Sequence, residues 1–434
     1  MKARRVITEG THFRYEDGGY YYPFGTTVYA LIHQADELVE QTLVSLKNSP
    51  FNKVRMCVFP KHYEYNRNEP PYFPFEKKTD GSWDLRTPCE AFWNRLDRLV
   101  GRLGEMGIQV DLILFHPYDR WGFAKLTMEE KKQYLRMAVE HLGHWLHLWW
   151  SLANEYDVLP GMEERDWKEL EKYLAQLDHG RHLLSNHNWG RFYDFKSSAV
   201  THVCVQSSMV HEVAKLQQKY QKPVIYDEMC YEGNVPQGWG NLSAFELVNR
   251  FWCVVSQGGY ATHGECFMDE NDVLWWAKGG VLKGESPERI AWLREITESF
   301  PSPLEPVEMP RMGGAETDMD EEDKKRMFDM LPEEVRMFAI AASKLDNEDK
   351  FRMELSMASY EGHCGNEVFL KYFARTCPCS HTLELPEDGA YRIEVLDVWN
   401  MTRRVAFEKA CGTVQVPLPA KEGMALLAVK RRKI

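Results

Sequence analysis

Over the first three hundred residues, short apolar runs alternate with longer stretches whose apolar positions recur every three or four residues. The short runs lie at 21–27, 53–59, 109–116, 146–154, 182–186, 201–206, 223–228 and 260–265. Several are unbroken, as in Val110-Asp111-Leu112-Ile113-Leu114-Phe115, which suits parallel strands covered on both faces. The stretches between them read as helices at 35–46, 89–106, 128–142, 163–177, 210–220, 243–256 and 287–300. In the second of these, Phe92, Leu96, Leu99, Val100 and Leu103 share one helical face. Strand and helix in strict alternation are βα units. Eight strands over about 290 residues predict a (β/α)8 TIM barrel. A doubly wound sheet would carry a glycine-rich phosphate turn after its first strand, and none follows 21–27.

The pattern changes after residue 300. Residues 301–332 are polar and rich in Pro and Met, which predicts a connector. From 333 to 434, short alternating runs at 336–341, 351–357, 367–373, 390–399, 413–418 and 424–429 are split by turn signals such as Glu387-Asp388-Gly389. These predict a small antiparallel β-sandwich. The expected organisation is a catalytic barrel at 1–300, a connector at 301–332 and an accessory sandwich at 333–434.

Composition narrows the function. With 434 residues and 44% hydrophobic content, the chain can bury an ordinary core. A net charge of −12, with no basic run longer than Lys430-Arg431-Arg432-Lys433, argues against nucleic acid. No run of about 18 apolar residues is present to span a membrane. Residues 1–9 include basic positions but no apolar core of a secretory signal. Ten cysteines are scattered along the chain, and Cys57, Cys204, Cys230 and Cys253 fall inside apolar runs, where a thiol acts as a small hydrophobe. Cys377-Pro378-Cys379 has no second pair at zinc spacing. A reduced, cytoplasmic location is expected.

In a barrel the chemistry sits at the C-terminal ends of the strands. Those ends carry Arg55, then Phe115-His116-Pro117-Tyr118-Asp119, Ala153-Asn154-Glu155, Asn186-His187-Asn188-Trp189, Asp227-Glu228 and His263-Gly264-Glu265. Polar groups placed directly after buried strands are costly unless paired or used. Glu155 and Glu228, on the fourth and seventh strands, are the central pair, since two carboxylates flanking one bond can divide the labour of acetal hydrolysis.

Asn154-Glu155 with Glu228 resembles the acid/base and nucleophile positions of clan A glycoside hydrolases. Phe115-His116-Pro117-Tyr118-Asp119-Arg120-Trp121-Gly122 is similar to the apiosidase-like barrel family, as is Asp178 followed by Arg181-His182-Leu183-Leu184-Ser185-Asn186-His187-Asn188. Members of that family often end in a β-sandwich, and 391–402 is similar to such modules. The resemblance implies Glu155 as acid/base, Glu228 as nucleophile, Asn154 on the sugar 2-hydroxyl and Arg55 beneath the nucleophile. Two departures stand out: Val205-Gln206-Ser207-Ser208 offers no Tyr or His on the sixth strand, and Gly264-Glu265-Cys266 replaces the eighth-strand tryptophan.

Further substrate contacts are expected from His116 and His187. Asp119 is read as a sugar contact or a partner of Arg120, and Glu265 as a third rim carboxylate that binds hydroxyls or acts on Glu155. Tyr118, Trp121, Trp189 and Trp239 could stack on sugar rings, whereas Trp145, Trp149, Trp150, Trp252 and Trp292 are expected to pack. Two alternatives remain: a barrel that binds sugar without cleaving it, and a metal-dependent hydrolase using His116, Asp119, His187 and His263. The expected protein is a cofactor-free, retaining glycoside hydrolase. Its partner would be a short oligosaccharide or glycoside, with no nucleic acid and no membrane.

Overall fold

The computed structural model describes residues 3–271, 273–307, 321–356 and 358–431. The chain divides into two compact units, Met1–Leu304 and Glu305–Ile434.

The first unit is built on eight parallel strands: β1 (Phe24–Thr27), β2 (Lys53–Cys57), β3 (Gln109–Phe115), β4 (Leu148–Ala153), β5 (Leu183–Ser185), β6 (Val203–Gln206), β7 (Val224–Glu228) and β8 (Tyr260–His263). Their order in the sheet is β6-β7-β8-β1-β2-β3-β4-β5. The gap between β5 and β6 is bridged by Thr201 N–H donating to Leu184 O at 2.8 Å and by the Ser185 hydroxyl donating to His202 O at 2.7 Å. The predicted barrel is therefore present. Seven helices follow its strands: α1 (Asp36–Lys47), α2 (Glu90–Glu105), α3 (Met128–Leu142), α4 (Glu164–Leu177), α5 (Val213–Tyr220), α6 (Ala244–Ser256) and α7 (Ser286–Glu298). The β5–β6 connection has no helix. Local sequence sets the starts: Thr127 and Glu130 form a reciprocal capping box on α3, and Pro287 opens α7.

The barrel interior is charged at its middle. Lys53, on β2, donates to Asp227 on β7 at 2.6 Å and pairs with Asp111 on β3 at 2.8 Å. Thr262 also donates to Asp227, at 2.5 Å. Arg55 is buried two residues further along β2. Two cations thus balance two carboxylates, and Lys53 and Arg55 hold Asp227 far below the usual carboxylate range against the opposing effect of its burial. Below this layer an N-terminal hairpin, Val6–Glu9 with His12–Tyr15, closes the barrel floor. Its Phe13 ring sits 5.2 Å from both Trp149 and Tyr260 in a cluster with Val6, Tyr21, Leu183 and Ile225. Alternation over 6–15 is too short to have announced this plug.

The second unit contains a six-stranded antiparallel sheet and a separate two-stranded one, Ser380–Leu385 with Gly412–Pro417. Leu383, Leu385, Val416 and Leu418 pack with Ile393, Val395 and Leu426 into one core, which makes the predicted sandwich. Two predicted strands are corrected. Residues 336–341 lie in a helix, Glu333–Ser343, and 351–357 overlap another, Asn347–Ser356. Glu333-Glu334 and Ala339 to Ala342 are strong helix formers, and their propensity overrides a short alternating pattern. A further helix, Glu321–Met330, lies within the span expected to be a connector.

None of the ten cysteines is joined in a disulfide. Among the described residues, no helix is long and apolar enough to cross a membrane.

Candidate active site

A cavity of about 520 Å³ is lined by residues that follow the C-terminal ends of the strands. Glu155 follows β4 and Glu228 ends β7, and both line this cavity while only 5% and 8% exposed. Glu155 sits in the left-handed region, φ +55°, which a non-glycine residue adopts only when its surroundings hold it there. What holds it is a hydrogen bond from Tyr118 Oη to its carboxylate, with Tyr156 N–H donating to His187 O at 2.8 Å one residue on. Burial pushes the Glu155 carboxyl up to about 7, Glu228 adds to the rise, and Lys61, Tyr118 and Gln206 oppose it. Glu228 accepts from Tyr29 Oη. Burial and, after it, the charge of Glu228 raise the Tyr231 phenol.

Behind the two carboxylates stands a buried polar layer. Asn154 Oδ1 accepts from Tyr29 Oη at 3.0 Å and from Arg55 at 3.3 Å. His187 lies with Nδ1 3.4 Å from the Glu155 N–H and Nε2 3.8 Å from Glu228. Burial, with Arg55 second, drives His187 well below its ordinary range, so it is neutral. Arg55 reaches Asn154 and exerts its charge on Asp227.

Aromatic residues form the walls. Trp189 is 59% exposed at the cavity. Its loop is fixed by Asp157, whose carboxylate accepts three consecutive backbone N–H groups, from Trp189, Gly190 and Arg191, at 2.6–2.8 Å. Trp239 packs 5.0 Å from Trp276, and both line the cavity with Tyr63 and Tyr231. Trp276 lies on the short helix Trp275–Lys278 after β8.

Some expected contacts lie elsewhere. His116 is fully buried with Nε2 3.1 Å from Phe59 O, and burial lowers it to about 3, so it ties β3 to the chain after β2. The carboxylate of Asp119 accepts N–H groups of Trp121, Gly122 and Ala124, which makes it a turn former; Arg120 pairs with Glu69 instead. Trp121 donates to Glu69 at 3.0 Å. Glu265 is buried among backbone donors, accepting from Lys283 N–H at 2.6 Å and Gly284 N–H at 2.9 Å. Beside it Glu232 accepts from Glu285 and Ser286 N–H. With His263 these are the one metal-spaced group among the described residues, their ligand atoms within 4.8 Å of one another. The backbone bonds make the two carboxylates a clamp on the entry to α7. The four residues of the metal alternative do not form a metal-spaced group among the described residues: His263 contacts Thr26 and stacks on Phe51, and its metal-spaced neighbours are Glu232 and Glu265. Asp178, His182, Trp145 and Trp150 form a hydrogen-bonded clip at the start of β5.

Sequence reasoning missed Tyr29, Lys61, Tyr231 and Trp276. Lys61 was reachable by its own rule, since it follows Phe59-Pro60 just beyond an apolar strand. The other three are aromatic, and nothing in their pattern separates a cavity wall from core.

Residues 8–297 match the family model of the Apiosidase-like catalytic domain. Residues 357–428 match a domain of unknown function, DUF5605. A crystal structure from Bacteroides vulgatus ATCC 8482, of a protein classed as a candidate glycoside hydrolase, shares 30% identity and a TM-score of 0.80, covering 99% of this chain and 82% of that one. A glycoside hydrolase family 5 protein from the same organism has a TM-score of 0.68 at 12% identity, over 98% and 93% of the two chains, a likeness of fold. No curated protein matches the chain. The family match and the relative of 30% identity together define an enzyme, a glycoside hydrolase. Within that class, the chain belongs to the Apiosidase-like family.

Proposed function

We propose that the enzyme is a retaining glycoside hydrolase in which Glu155 is the acid/base and Glu228 the nucleophile. One observation carries the reading: two carboxylates line a single cavity, and one of them, Glu155, is pushed up to about 7 and can hold a proton at neutral pH. Protonated Glu155 donates to the departing glycosidic oxygen while Glu228, held by the Tyr29 hydroxyl, attacks the anomeric carbon. Departure of the aglycone leaves a glycosyl ester on Glu228 and an ionised Glu155. Glu155 then takes a proton from water as the water oxygen attacks the anomeric carbon, breaking its bond to Glu228 and releasing the sugar and the Glu228 carboxylate. In this reading Asn154 meets the sugar 2-hydroxyl, and Trp189 and Trp239 stack on sugar rings.

A cavity of about 520 Å³ suits a short oligosaccharide or simple glycoside. Ten free thiols accord with a cytoplasmic enzyme, for which such small substrates would be the ones available. The test is a panel of nitrophenyl glycosides and plant oligosaccharides that includes apiosides, given the family's name, with Glu155→Ala and Glu228→Gln as controls. Hydrolysis of one substrate class that both substitutions abolish supports the reading. Wild-type activity surviving in either variant on a natural, poorly activated substrate overturns it.

A further inference from the structure

Lys61 is the buried cation of the cavity. It follows β2, lines the cavity and is 4% exposed. Its ammonium lies 3.4 Å from the ring centre of Tyr29, 4.3 Å from that of Tyr118 and 5.0 Å from that of Trp276. The negative faces of aromatic rings attract a cation, and more so away from water. The two phenols are not arbitrary neighbours. Tyr29 donates its hydroxyl to Glu228, and Tyr118 donates to Glu155. The lysine is thus packed against the two side chains that hold the two carboxylates.

We propose that Lys61 is the positioning cation shared by Glu155 and Glu228, the fixed positive charge that serves whichever of them is ionised. This rests on the double-displacement reading, in which the cavity carries one carboxylate charge throughout. In the free enzyme the charge is on Glu228 and Glu155 keeps its proton. In the glycosyl ester Glu228 is neutral and Glu155 is charged. A cation clamped to one carboxylate would favour one half of the cycle. A cation seated on rings between them favours neither. The other titratable and charged groups that face Lys61 are Cys57 and Arg55 on β2, Cys266 after β8, and the imidazoles of His116 and His187, both of which burial keeps neutral. Burial pushes the Cys57 thiol up to about 12, so it stays neutral. Arg55 is a second cation, and the groups it acts on are Cys204, Asp227, Tyr29 and Asp111. Lys61 is the cation on which both Glu155 and Glu228 act, and it opposes the rise of Glu155.

The test uses the full chain with Lys61→Met, Lys61→Gln and Lys61→Arg. The Glu155 carboxyl is followed by carbon-13 NMR titration, assigned by difference from Glu155→Gln, because this readout needs no turnover. Loss of the cation should raise the Glu155 titration by about one pH unit, the low end of what a neighbouring charge produces. The alkaline limb of kcat/KM should move up with it, and Lys61→Arg should restore both. A folded Lys61→Met or Lys61→Gln protein whose Glu155 titrates as in the wild type overturns the proposal, as does a rise in KM alone, which would make Lys61 a substrate contact. If the titration shifts but the wild type cleaves no glycoside, Lys61 keeps its role toward Glu155 and the hydrolase assignment of the pair falls instead.

Discussion

Glu155 shows how much a single residue's surroundings decide. Its left-handed backbone turns the side chain into the cavity, and burial gives it a proton at neutral pH. A general acid works only while protonated, so kcat/KM should fall about tenfold per pH unit above about 7. A profile flat to pH 9 on an unactivated substrate would remove Glu155 from that role. Asp157 acts one step back, through the three N–H groups of the Trp189 loop. Asp157→Ala should raise KM roughly tenfold, equivalent to about 1.4 kcal/mol of binding, with kcat nearly unchanged. Equal loss in kcat would show that the loop touches the chemistry. Glu155 and Glu228, which line the cavity, and Asn154 and His187, which form the buried layer behind them and not the substrate contacts expected, could be picked out in the sequence because each is polar directly after a buried strand. The same rule misplaced His116, Asp119 and Glu265, because proximity to the rim says nothing of where lone pairs point. In each case a backbone group took them.

At the scale of elements, β2 carries the barrel's two interior cations. Removing Lys53 leaves Asp111 and Asp227 buried without their partner. Breaking a buried pair in this way costs about 3–5 kcal/mol, so Lys53→Met should lower unfolding stability in denaturant by that much. A loss below about 1 kcal/mol would mean that Arg55 alone neutralises both carboxylates. The clamp on α7 is pH-dependent. Burial raises Glu265 from 4.5 to about 7, so its protonated form is favoured in the folded state. Its contribution is complete below pH 4.5 and is lost as pH rises through about 7. Between pH 5 and 8 the stability of the wild type should fall relative to Glu265→Gln by about 2.5 kcal/mol, measured by thermal or denaturant unfolding. A constant difference would show that burial does not raise the Glu265 carboxyl. Barrel strands and helices were legible because each combines length, period and burial. The helices at Glu333–Ser343 and Asn347–Ser356 were not, because six or seven residues of alternation fit either structure and side-chain propensity decided.

At the scale of the whole molecule, the barrel gathers residues from all eight strands and their loops, 29 to 276 in the chain, onto one rim. The barrel's closure and the family match make a glycoside hydrolase; the division of labour between Glu155 and Glu228 is the central claim built on them. Azide rescue tests that claim most directly. Glu155→Ala should still form the glycosyl ester from an activated aryl glycoside, which needs little proton assistance, and then stall for lack of a base. Azide needs no base and fits the vacated space. It should restore turnover of Glu155→Ala and yield a glycosyl azide with the anomeric configuration of the substrate, while Glu228→Gln stays inactive on every leaving group. Rescue of a Glu228 variant with inverted configuration, and none of Glu155→Ala, would contradict the account by exchanging the two roles.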